Sequence, residues 1–465
     1  MSRTDAVRQF VLACVCACLA VAARPVLAQE GTARALDLVQ LTALAERHSY
    51  GLKAGEHAIY AALAQLDEAR ISPFFQFRAK GGLAWVPDAK GVPGATPDSI
   101  NQLARPFGPA LSGTVEGALP LWTFGKLTAA REAAHAGVRA AEWSRELTRA
   151  ELRYNLRRAY FGLALALDAK QMISEGQPKL EQALAQLDER LKNADPDTDQ
   201  TERYRMSTTL AEIKARAAEA QHLESTSLAA LQVLTGVSHV VIPDCPIEPV
   251  SFEPKTVADY QAQARSHHPG LHLLDAARAA RQADLDATSA RYFPDLGLAL
   301  SVDSQYAPGR TPYAFYTPWA VGAAIVARWD LDLLGNHFRT ERARHKLMEL
   351  QEQQSLAAEG SDINIADKHA AVVDAGQRRL AWEDGHRDAR RWFVAAAQNY
   401  QLGLITVREL TDGVSAYFRA RFSHLQSIYD WNTSIAGLEQ AVGTPLLPET
   451  SFGQRCDDPS DDPSP

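Results

Sequence analysis

Three aspartates, Asp195, Asp197 and Asp199, stand at alternate positions between two helical stretches. Carboxylate oxygens are the ligands that hard divalent cations prefer, so this group is a candidate cation site. The alternative is a solvated acidic turn in which Asp199 caps the helix that follows it. The residue types fit both interpretations.

The other potentially reactive residues are not spaced as the residues of a zinc site or of a catalytic motif would be. His267 and His268 are adjacent, so on a helix their side chains would point in different directions. We find no Cys/His spacing typical of zinc, and no nucleophile elbow, phosphate loop or zincin motif. Apart from the candidate acidic group, the sequence therefore predicts a protein without catalytic residues, without a bound metal and without a cofactor.

The elements that must position these residues occur twice. Gly51, Pro73, Gly125 and Gly236 recur in the same order as Gly270, Pro294, Gly335 and Gly443, at separations between 207 and 221 residues. Such regularity indicates a tandem duplication, and a repeat changes the interpretation of the whole fold.

The first repeat is predicted over residues 29–236. A helix over about 36–70 precedes two strands with alternating polarity, at 74–85 and 111–121, and Pro and Gly between them indicate a long loop. A helical hairpin over 125–236 then ends at a glycine.

A Pro-rich linker over 237–256 leads into the second repeat, residues 257–443. This repeat has a helix, strands at 295–304 and 318–328, and a hairpin over 336–443. Its first long helix, predicted from about Arg339 to Gln398, would be about 90 Å long and would need partner helices along its whole length.

The two ends of the chain read differently from the repeats. Residues 1–28 resemble an export signal, with arginines before an apolar stretch and cleavage expected after Ala28. Residues 444–465 form an acidic tail that is predicted to be disordered. After cleavage two cysteines remain, Cys245 and Cys456, and they are either paired in an oxidising compartment or two free thiols.

The bulk composition limits the possible partners. The formal net charge is −8, and no basic block stands out, so the sequence argues against a nucleic-acid surface.

The predicted strands are about ten residues long, which suits tilted strands that cross a bilayer. Four strands cannot close a barrel, and an open edge is intolerable in lipid. Either the strands form ordinary soluble hairpins, or several chains complete one barrel.

From about Leu38 to Gly443, the chain resembles the TolC-like outer-membrane efflux channel family. The resemblance is carried, in order and in both halves, by several short stretches, namely His268-Pro269-Gly270-Leu271, the helix that ends at Pro294, Pro120 to Gly125, Trp329 to Gly335, Ala159-Tyr160, Tyr400 to Thr406, and the repeat ends at Gly236 and Gly443.

The resemblance implies a mainly α fold with a small β part, in which three identical chains build a 12-strand transmembrane barrel above a cylinder of long helices. It implies an outer-membrane duct that passes cargo outward without chemistry, together with a periplasmic adaptor and an inner-membrane pump. It also implies that the adaptor docks at the tip that includes Tyr400, Gly403 and Thr406. From the residues alone, Thr406 and Glu409 predict a capping box at the start of the returning helix, which fits an ordinary helix–turn–helix corner equally well. In such a trimer Asp195, Asp197 and Asp199 would place nine carboxylates near the tunnel mouth.

Aromatic residues near the strand ends fit either an interfacial girdle in a membrane or the core of a soluble hairpin. They are Phe74, Phe75, Trp85, Tyr306, Tyr313, Tyr316 and Trp319. The alternative function is a periplasmic helical-hairpin adaptor or scaffold. Such a protein would be soluble and monomeric, whereas a duct would be a membrane-bound trimer.

Overall fold

A computed structural model describes residues 35–74, 76–87, 107–193, 199–306, 319–402 and 404–452 of the chain. Within these ranges the protein is mainly helical and contains one four-stranded sheet. None of the described helices carries an apolar stretch long enough to cross a bilayer.

The first repeat begins with two helices, α1 (Leu38–His48) and α2 (Tyr50–Ile71). The single helix predicted over 36–70 is therefore wrong in one respect, because the chain breaks at Ser49. Asp37 caps α1 by accepting a hydrogen bond from the Leu38 amide at 2.6 Å. Strands β1 (Gln76–Pro87) and β2 (Phe107–Trp122) follow, and then helices α3 (Lys126–Lys192) and α4 (Gln200–Thr235).

The second repeat has the same order of elements. Helices α5 (Val257–His267) and α6 (Pro269–Ser289) are separated by His268, whose Nδ1 accepts a hydrogen bond from the Gly270 amide at 3.1 Å. Strands β3 (Asp295–Tyr306) and β4 (Trp319–Arg328) come next, followed by α7 (Leu333–Gln401) and α8 (Val407–Val442).

The two hairpins, α3/α4 and α7/α8, give the molecule its length. Helix α3 has 67 residues and α7 has 69, so each is about 100 Å long. Helix α7 begins earlier than the sequence predicted because Asp332 caps it, accepting a hydrogen bond from the Gly335 amide at 3.0 Å. Pro178 lies inside α3, which continues through it.

The sheet is a meander of four antiparallel strands in the order β1-β2-β3-β4. Hairpins β1/β2 and β3/β4 each come from one repeat, and β2 pairs with β3 to join them. The sheet therefore unites the two halves of the duplication at one end of the molecule.

The main core lies midway along the hairpins, where the linker crosses them. The side-chain oxygen of Asn432 on α8 accepts a hydrogen bond from the Val250 amide at 2.8 Å, and Trp431 donates its indole N–H to the Val250 carbonyl at 2.8 Å. On α3, Asp168 accepts a hydrogen bond from the Ile247 amide at 2.7 Å. The linker thus binds one long helix from each repeat.

A buried arginine joins α3 to α8 and to the end of the chain. Arg157 is 2% exposed; it pairs with Glu439 at 2.6 Å and with Glu449 at 3.1 Å, and its guanidinium lies 4.0 Å from the centre of the Phe452 ring. The prediction of a disordered tail from residue 444 is therefore wrong for residues 444–452, because Glu449 and Phe452 contact this arginine. Residues 453–465 lie outside the described ranges, as does the predicted signal.

Candidate functional site: the amphipathic sheet and the hairpin tips

One face of the sheet is apolar. Opposite residues in neighbouring strands share a face, and side chains alternate along each strand. The register therefore gathers the large apolar side chains on one face, and within the described strands this face carries no Asp, Glu, Lys or Arg. Its large members are Phe77, Leu83, Trp85, Leu111, Val115, Leu298, Leu300, Val302, Trp319, Val321 and Ile325.

No other part of the described chain covers this apolar face. Leu83 is 72% exposed, Trp319 67% and Ile325 76%. A contiguous exposed apolar surface of this kind marks contact with a membrane or with another protein. Among the described residues, this face is therefore free to contact a membrane or another protein.

The opposite face of the sheet is polar. Arg78 and Lys80 on β1 face Glu116 on β2, with Lys80 Nζ 2.5 Å from a Glu116 carboxylate oxygen. On the neighbouring pair, Thr114 donates a hydrogen bond to Asp303 at 2.8 Å. The sheet therefore separates an apolar medium on one side from a polar medium on the other.

The sheet also has two open edges. Strands β1 and β4 are its outer strands, and within the described residues each pairs on one side only. An unpaired backbone edge costs several kcal/mol per polar group in hydrocarbon. An edge in contact with lipid therefore requires a strand from another chain.

Aromatic residues mark both ends of the sheet. Trp85, Tyr306 and Trp319 lie at the far end, as predicted, and are exposed. Phe74 lies beneath the guanidinium of Arg131, 5.7 Å from the centre of its ring. Phe75, Tyr313 and Tyr316 fall outside the residues whose structure is described.

The near end of the sheet carries aromatics that the sequence interpretation missed. Phe124 stacks on Phe293 with ring centres 5.2 Å apart, and Trp122 contacts Phe124 edge to face. Trp329 donates its indole N–H to the Tyr292 carbonyl at 3.1 Å. The twelve residues of β3 measure about 40 Å along the strand, or about 30 Å of height at a 40° tilt, which is the thickness of a hydrocarbon core.

A turn between β2 and α3 connects the sheet to the long helices. Phe124 and Gly125 both have positive φ, at 49° and 92°, which turns the chain from β2 into α3. Lys126 then donates to Asp295 at 2.8 Å and to the Phe293 carbonyl at 3.1 Å. The start of α3 is thereby tied to the start of β3.

The tip between α7 and α8 contains the predicted docking residues. Thr406 accepts a hydrogen bond from the Glu409 amide at 3.4 Å, and Glu409 accepts one from the Thr406 amide at 3.3 Å. This capping box was predicted from the sequence. Tyr400 is half-buried, Leu402 is 72% exposed and Leu404 is 70% exposed. Gly403 lies outside the described residues.

The tip between α3 and α4 is described only at its end. Asp199 caps α4 by accepting a hydrogen bond from the Thr201 amide at 3.0 Å, and this bond keeps the pKa of Asp199 below its usual value. Asp195 and Asp197 lie outside the described ranges. The capping role predicted for Asp199 is thus present, and a cation site remains a prediction.

The remaining candidate residues have structural contacts. His268 caps α6, and His267 Nδ1 lies 2.6 Å from the hydroxyl of Ser266. In the described part of the chain, no three His, Cys, Asp or Glu side chains come close enough together to hold a metal ion.

The second repeat matches a known protein family. The family described as "Outer membrane efflux protein" matches residues 261–444. A curated relative, Protein CyaE of Bordetella pertussis, is 24% identical over 236 residues, which cover 49% of this chain and 48% of that protein. The chain thus aligns with about half the length of this relative.

Solved outer-membrane channels share the fold over most of the chain. CusC superimposes with a TM-score of 0.73 at 17% identity, covering 88% of this chain and 92% of that one. MtrE of Neisseria gonorrhoeae gives 0.72 at 16% identity over 88% and 89%, and VceC of Vibrio cholerae gives 0.71 at 17% identity over 88% and 97%. The second repeat thus matches the outer membrane efflux protein family, and most of the chain shares the fold of solved outer-membrane channels.

Proposed function

We propose that this chain is one subunit of a homotrimeric exit duct that crosses the outer membrane and the periplasm of a Gram-negative bacterium. The observation that carries the proposal is the sheet, which has an apolar face without charged residues and two unpaired edges. Lipid covers the apolar face, and neighbouring copies satisfy the edges.

Three copies give the smallest closed wall with an open lumen, because the eight strands of two copies would close a barrel whose interior is filled by side chains. Pairing β4 of each copy with β1 of the next yields 12 strands, which suffice for a barrel with an open lumen. The hairpins α3/α4 and α7/α8 continue below the sheet as a helical cylinder. The polar face, with Arg78 and Glu116, then lines the water-filled lumen.

The duct passes cargo without chemistry, in a tripartite efflux or type I secretion system. Its partners in this proposal are a periplasmic adaptor and an inner-membrane pump. The adaptor docks at the α7/α8 tip, which includes Tyr400, Gly403 and Thr406 and where Leu402 and Leu404 offer apolar contacts. A docking contact requires side chains held on a rigid support, and the Thr406 capping box supplies that support.

A soluble adaptor or scaffold is the competing function. The exposed apolar face argues against it, because such a protein would leave Trp319, Val321 and Ile325 in water. A cation-binding role for Asp195, Asp197 and Asp199 at the tunnel mouth is a separate hypothesis. It would have to coexist with the cap that Asp199 provides to α4.

A deletion strain tests the proposal. Deletion is expected to abolish the export of one cargo in a survey of drugs, metal ions and secreted proteins, and the wild-type gene is expected to restore it. Leu404→Asp is expected to form trimers yet fail to restore export, whereas Leu404→Met restores it. Full restoration by Leu404→Asp would argue against docking at this tip, and an unchanged survey would argue against the duct.

A further inference from the structure

Four of the six charged residues on the polar face of the described strands lie in two adjacent rows. The other two, Asp295 and Arg328, lie opposite each other at the end of the sheet nearest the helices. The first row runs Arg78, Glu116, Ser301 and Gly322 across the four strands, and the second runs Lys80, Thr114, Asp303 and Ala320. The rows are two residues apart, or about 7 Å along a strand. We call Arg78, Lys80, Glu116 and Asp303 the charged collar.

The two signs of charge are separated around the wall. Both cations lie on β1, the carboxylates lie on β2 and β3, and β4 contributes only Gly322 and Ala320. Neighbouring strands lie about 4.8 Å apart, so the cationic and anionic stripes are distinct at the scale of a small solute. The small residues on β4 leave room beside the long side chains of β1 on the next copy.

The collar is electrically neutral within each chain. Glu116 pairs with Lys80 at 2.5 Å and, more loosely, with Arg78 at 3.8 Å. Asp303 accepts a hydrogen bond from Thr114, and no ion pair between described residues includes it. Arg78 keeps 75% of its side chain exposed and Lys80 keeps 57%, so both remain accessible to a passing molecule.

We infer that the charged collar sets the substrate class of the duct: it admits polar solutes of either charge, zwitterions included, and excludes neither sign. This inference rests on the proposed function, because it requires the polar face to line a lumen. Anionic groups of a solute follow the stripe of Arg78 and Lys80, and cationic groups follow Glu116 and Asp303. A wall of low dielectric constant strengthens such local fields, and a zero net charge removes the overall bias.

Cysteine modification on intact cells tests the inference locally. Ser301→Cys places a thiol inside the collar, and Val302→Cys places one on the opposite face as the matched control. Both variants are treated with an anionic reagent, methanethiosulfonate ethylsulfonate, and a cationic one, methanethiosulfonate ethyltrimethylammonium. The parent protein supplies the background for its own cysteines. The measured quantity is the ratio of the cationic to the anionic reaction rate, relative to a free thiol.

The collar variants then shift this ratio in opposite directions. Ser301 lies in the anionic stripe, opposite Glu116, while the cations of β1 lie two strands away. At Ser301→Cys the ratio is therefore expected to exceed that of the free thiol, by less than about fivefold. Adding Arg78→Gln and Lys80→Gln is expected to raise it about tenfold, and adding Glu116→Gln and Asp303→Asn is expected to lower it about tenfold. Trimer formation is checked first on a gel, and Asp303→Asn alone must shift the ratio in the same direction if the double variant does not assemble.

The outcomes separate the inference from the proposed function. If Ser301→Cys reacts, Val302→Cys does not, and the ratio is the same in the collar variants as in the unaltered collar, the inference is wrong. The proposed duct is not affected by that result. A ratio at Ser301→Cys that differs from the free thiol by tenfold in the unaltered collar also overturns it. If both thiols react alike, or neither reacts, the sheet does not separate lipid from water and the proposed function itself fails.

Discussion

His268 packs directly against Gly443, the residue that ends the second repeat. Gly443 has φ = 81°, and a Cβ added there would lie 2.9 Å from the His268 Cα and 2.6 Å from Pro269 Cδ. The first repeat contains a comparable contact, because a Cβ on Gly236 (φ = 73°) would lie 2.3 Å from the ring of His48, the residue just before the break at Ser49. The duplication thus preserves a contact between the start and the end of each repeat.

We expect Gly443→Ala to destabilise the protein by roughly 2 to 4 kcal/mol. The positive φ strains any residue with a Cβ, and the new methyl group collides with the backbone of His268. Thermal unfolding followed by circular dichroism measures the effect. Gly360→Ala is the control, since its Cβ would meet no atom within 4 Å and it lies in a helix interior, so the change is expected to be neutral or slightly stabilising. Equal melting temperatures for both variants would contradict the account.

Removing the buried Arg157 is expected to cost about 3 to 5 kcal/mol. Arg157→Met leaves Glu439 buried without its partner, and a buried charge without a partner is strongly destabilising. Arg391→Met is the control because Arg391 and Asp388 are both about three-quarters exposed, and it should cost less than about 1 kcal/mol. Urea unfolding of both variants gives the comparison, and similar midpoints would show that the Arg157 cluster is unimportant.

Asp168 is expected to make the protein less stable at neutral pH than at pH 4. Burial raises the pKa of Asp168 to about 6, although the Ile247 amide donates to it. The folded state therefore binds this proton more tightly than the unfolded state. Its stabilising contribution is present below about pH 4 and is lost as the pH rises to about 6.

The same reasoning predicts how Asp168→Asn changes the stability of the protein. Asparagine still accepts the Ile247 hydrogen bond but carries no charge, so the variant should be more stable at pH 7.5 by on the order of 2 kcal/mol. Melting temperatures between pH 4 and pH 8 measure the difference. The gap between variant and parent should shrink towards pH 4, and a gap independent of pH would contradict the assignment. Asp388→Asn, on an exposed face of α7, should follow the parent profile.

Cys245 is disulfide-bonded, and we predict that Cys456 is its partner. The other three cysteines lie in the predicted signal, and Phe452, four residues before Cys456, is held against Arg157 on α3. Alkylation of the unfolded, unreduced protein should label no thiol, and Cys456→Ser should expose one. Two labelled thiols in the unaltered protein would exclude the bond.

The periodicity of the sequence predicted the elements that repeat. Alternating polarity located the four strands, and the three- and four-residue spacing located the long helices. Thr406 and Glu409 predicted the capping box at the tip because this signal is local and needs no tertiary contact. The pairing of Glu116 with Lys80, by contrast, depends on the register of β1 and β2.

Single residues that act through tertiary contacts were not predictable. The break at Ser49 has no proline to mark it, whereas the corresponding break at His268 is followed by Pro269. The acidic composition of the tail concealed Glu449 and Phe452, which anchor its first residues to Arg157. Trp122, Phe124 and Phe293 lie at or beyond the ends of β2 and β3. Their ring contacts depend on the turn after β2, which brings these strand ends together.

The assembly in the membrane is the central claim, and fractionation with gel migration tests it most directly. The protein should be recovered from the outer membrane and migrate as a trimer before heating and as a monomer after heating. A signal-cleaved monomer that remains in the soluble periplasmic fraction and does not bind lipid would contradict the account.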